Sequence, residues 1–221
     1  MGKKNGKGKL IDFLKNSEYE GEFKNDLKEG YGIEKYSDGS IYKGYFKNDL
    51  KEGKGKLIIK DTDKNIIEYK GEFKKDKLYG KGIINWPNKK QYYGELINNE
   101  ISGYGILKEE KDKYIGYFKN NKKYGYGAIF YSDEPFSIVG FWENNNIEGF
   151  AIIFSLKERS EDEINENNDI KIINMIKGEI INMPIDDQEL AKIKKNKKFI
   201  EMIELYKCKF YPEYKKSEII L

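Results

Sequence analysis

Glycine falls on a grid in this chain. Aligned on Gly21, Gly44, Gly71, Gly94, Gly116 and Gly140, the sequence repeats with steps of 23, 27, 23, 22 and 24 residues. Nine residues after each anchor stand Gly30, Gly53, Gly80, Gly103, Gly125 and Gly149; eleven after it stand Gly32, Gly55, Gly82, Gly105 and Gly127, then Ala151. Two before the anchor come Tyr19, Tyr42, Tyr69, Tyr92, Tyr114 and Ile138, and two after it Phe23, Phe46, Phe73, Leu96, Phe118 and Trp142. Self-similarity at such a period marks a stack of short units, none of which buries its apolar face alone.

Within a unit the spacing is that of a β-hairpin. Tyr19, Gly21 and Phe23 share one face by the two-residue strand period, and Glu20, Glu22 and Lys24 share the other. A pair built mainly of Asn and Asp follows: Asn25-Asp26, Asn48-Asp49, Lys75-Asp76, Asn98-Asn99, Asn120-Asn121 and Asn144-Asn145. Asn and Asp tolerate left-handed backbone, so the chain reverses there. The second arm carries the glycine pair and then apolar residues, as in Leu57 and Ile59, Ile84 and Trp86, Ile129 and Tyr131. Glycine weakens a strand interior, so three per unit need a reason. Aromatic rings lying over the bare backbone would supply it.

The apolar content is largely aromatic, with 18 Tyr, 12 Phe and 2 Trp in 221 residues, which sets this charged chain apart from a disordered one. Histidine is absent, which excludes a His general base, a Ser-His-Asp triad and His metal ligands. Cys208 is the single cysteine, which excludes an internal disulfide and a Cys-based zinc site. Each Gly-x-Gly lies in a strand pattern and opens no helix, so neither a dinucleotide site nor a phosphate loop is expected. Carboxylate pairs such as Glu109-Glu110 and Glu161-Asp162-Glu163 read as solvated charge runs. With 41 basic against 38 acidic residues, and Glu20, Glu22, Glu72 and Glu95 alternating with lysines, no nucleic-acid partner is expected. No apolar run approaches a membrane span, and the start MGKKNGKGK leads into no signal-peptide core. The expectation is a cytoplasmic protein, not an enzyme, with no cofactor and no metal.

The grid Tyr-x-Gly-x-Phe/Trp followed by Gly-x-Gly closely resembles the MORN (membrane occupation and recognition nexus) repeat, and the unit YEGEFKNDLKEGYGIEKYSDGSI is similar to it over its whole length. Ile138, Leu96 and Ala151 depart from the pattern. The resemblance implies an all-β repeat, a single-layer elongated antiparallel sheet of stacked β-hairpins, to which the sequence adds a C-terminal α-helix. It also implies a role in organising cytoskeletal and membrane-associated assemblies, and dimerisation through the C-terminal part.

The chain then divides into a basic N-terminus with a truncated repeat (1–18), six repeats (19–155), an acidic loop (156–169), partial last repeat strands (170–184) and a C-terminal helix and tail (185–221). Gly6, Gly8, Leu10 and Ile11 read as the second arm of the truncated unit, and Ile176, Gly178, Glu179 and Ile180 as a first arm. The insertion 61–68 lengthens the link between units two and three. Asp186 and Glu189 form a capping-box-like start for a helix over 187–208, with Leu190, Ile193, Ile200, Ile203 and Tyr206 on one stripe. That helix reads as a cap on the open sheet, ahead of a basic helix for an anionic surface. Gly2 is not expected to carry a myristoyl group, because Gly6 stands where that motif needs Ser or Thr.

The function expected from these readings is a non-enzymatic scaffold that organises protein partners, with a homodimer through the sheet end or the C-terminal helix. The alternative is a peripheral membrane module that binds acidic phospholipid. The repeat-defining residues, and the candidate binding face, are Tyr19, Gly21, Phe23, Tyr42, Gly44, Phe46, Tyr69, Gly71, Phe73, Tyr92, Gly94, Tyr114, Gly116, Phe118 and Trp142. Candidate basic contacts are Lys192, Lys194, Lys195, Lys197 and Lys198.

Overall fold

Strands follow the grid. The structure is a computed structural model that describes residues 2–14, 16–60, 63, 65–134, 136–155, 170–177, 179–181 and 188. Two compact units result: Met1–Glu110 with Lys119–Asn121, and Lys111–Phe118 with Lys122–Leu221. The first holds strands β1 (Gly6–Asp12), β2 (Ser17–Lys24), β3 (Leu27–Tyr36), β4 (Ile41–Lys47), β5 (Leu50–Lys60), β6 (Ile66–Lys74), β7 (Lys77–Asn85), β8 (Gln91–Ile97) and β9 (Glu100–Lys108). Each is antiparallel to the next in chain order. The second unit holds β10 (Lys113–Lys119), β11 (Lys122–Phe130), β12 (Phe136–Glu143), β13 (Asn146–Ser155), β14 (Ile170–Ile176) and β15 (Glu179–Ile181), again in chain order. Both are antiparallel hairpin stacks one layer thick.

The turns are as the Asn/Asp pairs dictate. Both residues of each pair have positive φ, from Asn25 (50°) and Asp26 (73°) to Asn144 (51°) and Asn145 (74°). That is the two-residue hairpin turn whose twist matches the strands. Even Lys75 adopts it, at 49°.

Two expectations need correction. The run 176–180 is not one first arm: Ile176 pairs with Glu179, so the chain reverses between them, with Lys177 at φ 51°. Lys177 stands in a turn where the sequence reading placed a strand. The insertion is also shorter than read, because Ile66, Ile67 and Glu68 extend β6 and pair with Lys60, Ile59 and Ile58. The acidic loop and the helix expected over 187–208, with Lys192, Lys194, Lys195, Lys197 and Lys198, lie outside the described residues, Gln188 excepted.

Candidate interaction surfaces

The inner face is built from one motif used five times. Tyr19 lies across Gly21 of its own strand and Gly32 of the next. A Cβ on Gly32 would stand 2.6 Å from Tyr19 Cζ, and one on Gly21 2.6 Å from Gly32 Cα. Only glycine leaves room for the ring. Its hydroxyl donates to Glu22 O at 2.9 Å, and Tyr42, Tyr69, Tyr92 and Tyr114 donate in the same way to the carbonyls of Tyr45, Glu72, Glu95 and Tyr117. The buried phenol therefore keeps its hydrogen bond, which avoids the desolvation cost of an unpaired polar group.

Rings knit successive units together. Tyr19 meets its own Phe23 at 5.2 Å between centroids and the next unit's Phe46 at 5.0 Å, both edge-to-face. Tyr42 repeats this with Phe46 and Phe73, and Tyr114 with Phe118 and Trp142. Such pairs contribute about 0.5–1.5 kcal/mol each beyond their burial.

The third glycine of each unit has another task. Between Gly21↔Gly32 and Glu22↔Glu29, one step on β2 faces three on β3, which makes a β-bulge. The same irregularity follows Gly44, Gly71, Gly94 and Gly140. Gly30 turns there at φ 64°, and Gly53, Gly80, Gly103, Gly125 and Gly149 do likewise. The sequence reading assigned all three glycines to ring packing; this one serves the left-handed backbone instead.

The MORN repeat family model matches residues 19–41, 42–64, 69–91, 92–108 and 114–133. The chain belongs to the MORN repeat family. MORN repeats are protein- and membrane-interaction modules. No curated protein is significantly similar to the chain. The family match ends before the sixth unit, where Ile138 and Ala151 break the pattern, yet β12 and β13 still form its hairpin.

Within this MORN stack the predicted aromatic residues are packing groups. Tyr19, Phe23, Tyr42, Phe46, Tyr69, Phe73, Tyr92, Tyr114, Phe118 and Trp142 are at most 6% exposed. Gly21, Gly44, Gly71, Gly94 and Gly116 lie under or beside the tyrosine rings. As a binding face this set is corrected: burial keeps these side chains from a partner or a lipid surface.

Two further devices bind unit to unit. The second turn residue clamps the preceding hairpin: Asp49 Oδ1 accepts from Lys28 N at 2.7 Å while Asp49 N donates to Lys28 O at 3.1 Å. Asp26, Asp76, Asn99, Asn121 and Asn145 make the same double contact with Lys4, Lys51, Leu78, Ile101 and Lys123. The second device is a buried polar cluster. Lys28 pairs with Glu34, both nearly inaccessible, and Glu34 also accepts from Ser17 Oγ at 3.4 Å and Tyr36 Oη at 2.5 Å. Lys28 Nζ stands 5.0 Å from the Tyr19 ring centre. Burial pushes the Glu34 carboxyl up, but the Lys28 and Tyr36 hydrogen bonds outweigh it and hold the group below its ordinary value. Burial, with the bond to Glu34, raises the Tyr36 phenol. The cluster is closed on itself and structural.

Sequence reading missed this cluster, although the alignment carries its signal. Glu34 occupies a column otherwise filled by Leu57, Ile84, Leu107, Ile129 and Ile153, while Lys28 shares its column with Lys51 and Lys123 as well as Leu78, Ile101 and Ile147. A lone carboxylate in an apolar column, in a unit whose other variable column offers a lysine, points to a pair.

Accessible chemistry lies on the opposite face. Tyr31 and Tyr45 stand directly opposite each other there, about half exposed and edge-to-face at 5.7 Å. Glu22, Glu72 and Glu95 fold their carboxylates over Gly30, Gly80 and Gly103. Lys43, Lys54 and Lys70 are exposed on the same face. Ion pairs here are solvent-accessible: Lys9–Glu18 and Lys56–Glu68, both at 2.7 Å.

Proposed function

We propose that this chain is a non-catalytic scaffold that recruits protein partners to a cytoskeletal or membrane-associated assembly. The observation that carries this reading is the division of labour between faces. The inner face is consumed by ring-on-glycine packing, while the outer face of β2–β8 holds fixed tyrosines and charges open to a partner. Such a surface, on strands whose register is pinned by bulges and turn clamps, costs little ordering entropy to engage. An epitope-tagged copy in its native cells tests it. The protein is expected to remain in the pellet after mild detergent and to leave with high salt. Full release by detergent with membrane lipid would overturn the scaffold reading.

One observation favours a membrane role as the second reading. Phe13 and Leu14, in the turn between β1 and β2, are 84% and 100% exposed. An exposed apolar tip suits insertion at a bilayer surface. Capture by phospholipid vesicles, abolished in Phe13→Ser/Leu14→Ser, would support that role; unchanged capture would remove it.

A further inference from the structure

Opposite charges face each other at many positions on the outer face of β1–β8. Across neighbouring strands Lys7 faces Glu22, Lys9 faces Glu20, Lys35 faces Glu18, Lys54 faces Glu72 and Lys81 faces Glu95. Opposite charges directly across a strand pair stabilise a sheet, and like charges there destabilise it. Like charges meet as single pairs beside the turns, at Glu22–Glu29 and Lys74–Lys77, and as a row of three lysines on three consecutive strands. Lys43 of β4 faces Lys56 of β5, and Lys56 faces Lys70 of β6. Lys56 is paired with Glu68 at 2.7 Å. Lys43 and Lys70 are exposed, and among the described residues neither has a carboxylate within ion-pair distance.

Beside the row stands the accessible Tyr31–Tyr45 pair, and Ile33 and Ile83 flank it, facing Lys43 and Lys70. Cations of one sign beside half-exposed aromatics form a surface complementary to carboxylates interspersed with apolar side chains.

We propose that Lys43, Lys56 and Lys70, with Tyr31 and Tyr45, form a docking surface for an acidic segment of a partner protein. This rests on the scaffold reading and names the chemistry of its partner. Bound carboxylates relieve the repulsion that the free sheet carries, so binding and stability respond to these lysines with opposite sign.

The test uses the full chain and a fluorescein-labelled peptide of about 12 residues, rich in Glu with interspersed Leu and Tyr, followed by anisotropy. Binding is expected to weaken steeply with salt and by about tenfold in Lys43→Glu/Lys70→Glu. It should weaken severalfold in Tyr31→Ala/Tyr45→Ala and change less than twofold in Lys7→Glu/Lys9→Glu. The Lys43→Glu/Lys70→Glu chain should unfold at the wild-type temperature or above it. Lys43→Gln/Lys70→Gln, which carries no new charge, should show the same loss of binding. Absence of peptide binding, or binding indifferent to both pairs of substitutions, overturns the proposal. So does capture by phosphatidylserine vesicles that depends on Lys43 and Lys70 where the peptide does not bind. Failure here with the tagged chain still detergent-resistant leaves the scaffold reading standing; loss of both removes it.

Discussion

Hairpins β2–β3 to β6–β7 and hairpin β12–β13 share one register pattern and use their outer faces oppositely. In the column just before the anchor glycine the early units carry Glu20, Lys43 and Lys70, exposed to solvent, whereas β10 and β12 carry Ile115 and Val139. Ile115, Val139 and Ile152 are at most 5% exposed. The inner face changes too. In the sixth unit Ile138 replaces the tyrosine and Ala151 the second glycine, and Trp142 Nε1 donates to Gly127 O at 3.1 Å. In units one to three the ring-on-glycine motif is complete and the outer face is a charged surface; in unit five the motif is complete too, yet Ile115 is buried, so the outer face changes one unit before the inner one. Where the motif is relaxed, both faces of the hairpin are buried, so apolar packing on the outer side offsets what the inner side lost.

Alkali should separate the two regions most. Burial, the main cause, pushes the Tyr19 and Tyr69 phenols up to about 12 and also raises those of Tyr42 and Tyr92. An unfolded tyrosine ionises near 10, so the stability these groups contribute is complete below about pH 10 and is lost as pH rises through about 12. Circular dichroism and tyrosinate absorbance should therefore change together in that window. If the β12–β13 hairpin, which has no such tyrosine, loses its amide protection before the others, the ring motif is not the labile element.

Glycine substitutions come next. Gly44→Ala would force a methyl to 2.6 Å from Gly55 Cα and 2.7 Å from Tyr42 Cζ, a clash with backbone that nothing nearby can relieve. A loss of about 3 kcal/mol or more is expected in chemical denaturation. Gly140→Ala meets Ile147 Cγ2 at 2.9 Å, which a side-chain rotation can move, and Ala151 Cβ at 3.1 Å, a contact only slightly too close; about 1–2 kcal/mol is expected. Equal losses would show that the sixth unit is packed as tightly as the second.

The buried pair gives a comparable but reversible effect. Glu34→Leu leaves Lys28 without its carboxylate and should cost about 3 kcal/mol. Adding Lys28→Leu reproduces the residue types found at Leu78 and near Ile84 in unit three, and should bring the chain back to within about 1 kcal/mol of wild type. Because Glu34 is held below its ordinary value, its contribution is present above the ordinary glutamate range and lost as pH falls below it. The double variant should lose that acid sensitivity, as followed by thermal unfolding at several pH values.

Smaller still is the coupled exchange in unit six. Ile138→Tyr alone should cost about 1–3 kcal/mol, since Ala151 fills the space the ring needs, and Ile138→Tyr/Ala151→Gly should recover most of it. Additive losses in that double-mutant cycle would disprove the coupling. Smallest is Tyr45→Ala, on the open face, expected to change stability by less than about 0.5 kcal/mol.

Much of the fold is legible because it is a local code. The turn pairs, the strand limits around Gly21 and its successors and the ring-over-glycine contact all follow from spacing within some 25 residues. The turn at Lys177 was hidden because Ile176 and Ile180 flank Gly178 as a first arm would. The role of Gly30 and its successors was hidden because a bulge glycine and a packing glycine share one parity along the strand. The Lys43–Lys56–Lys70 row is also silent in sequence: register across three strands sets it, and no two of the three share a hairpin arm.

The sequence by itself determined the repeat, the hairpin within it, the turn type and the family, since each depends on residues close in the chain. It also marked the aromatic residues that carry the packing. Only the tertiary structure decided which face those residues consume. A strand pattern names two faces but not which one its neighbours cover, because burial is set by the rings of the adjacent unit rather than by the strand itself.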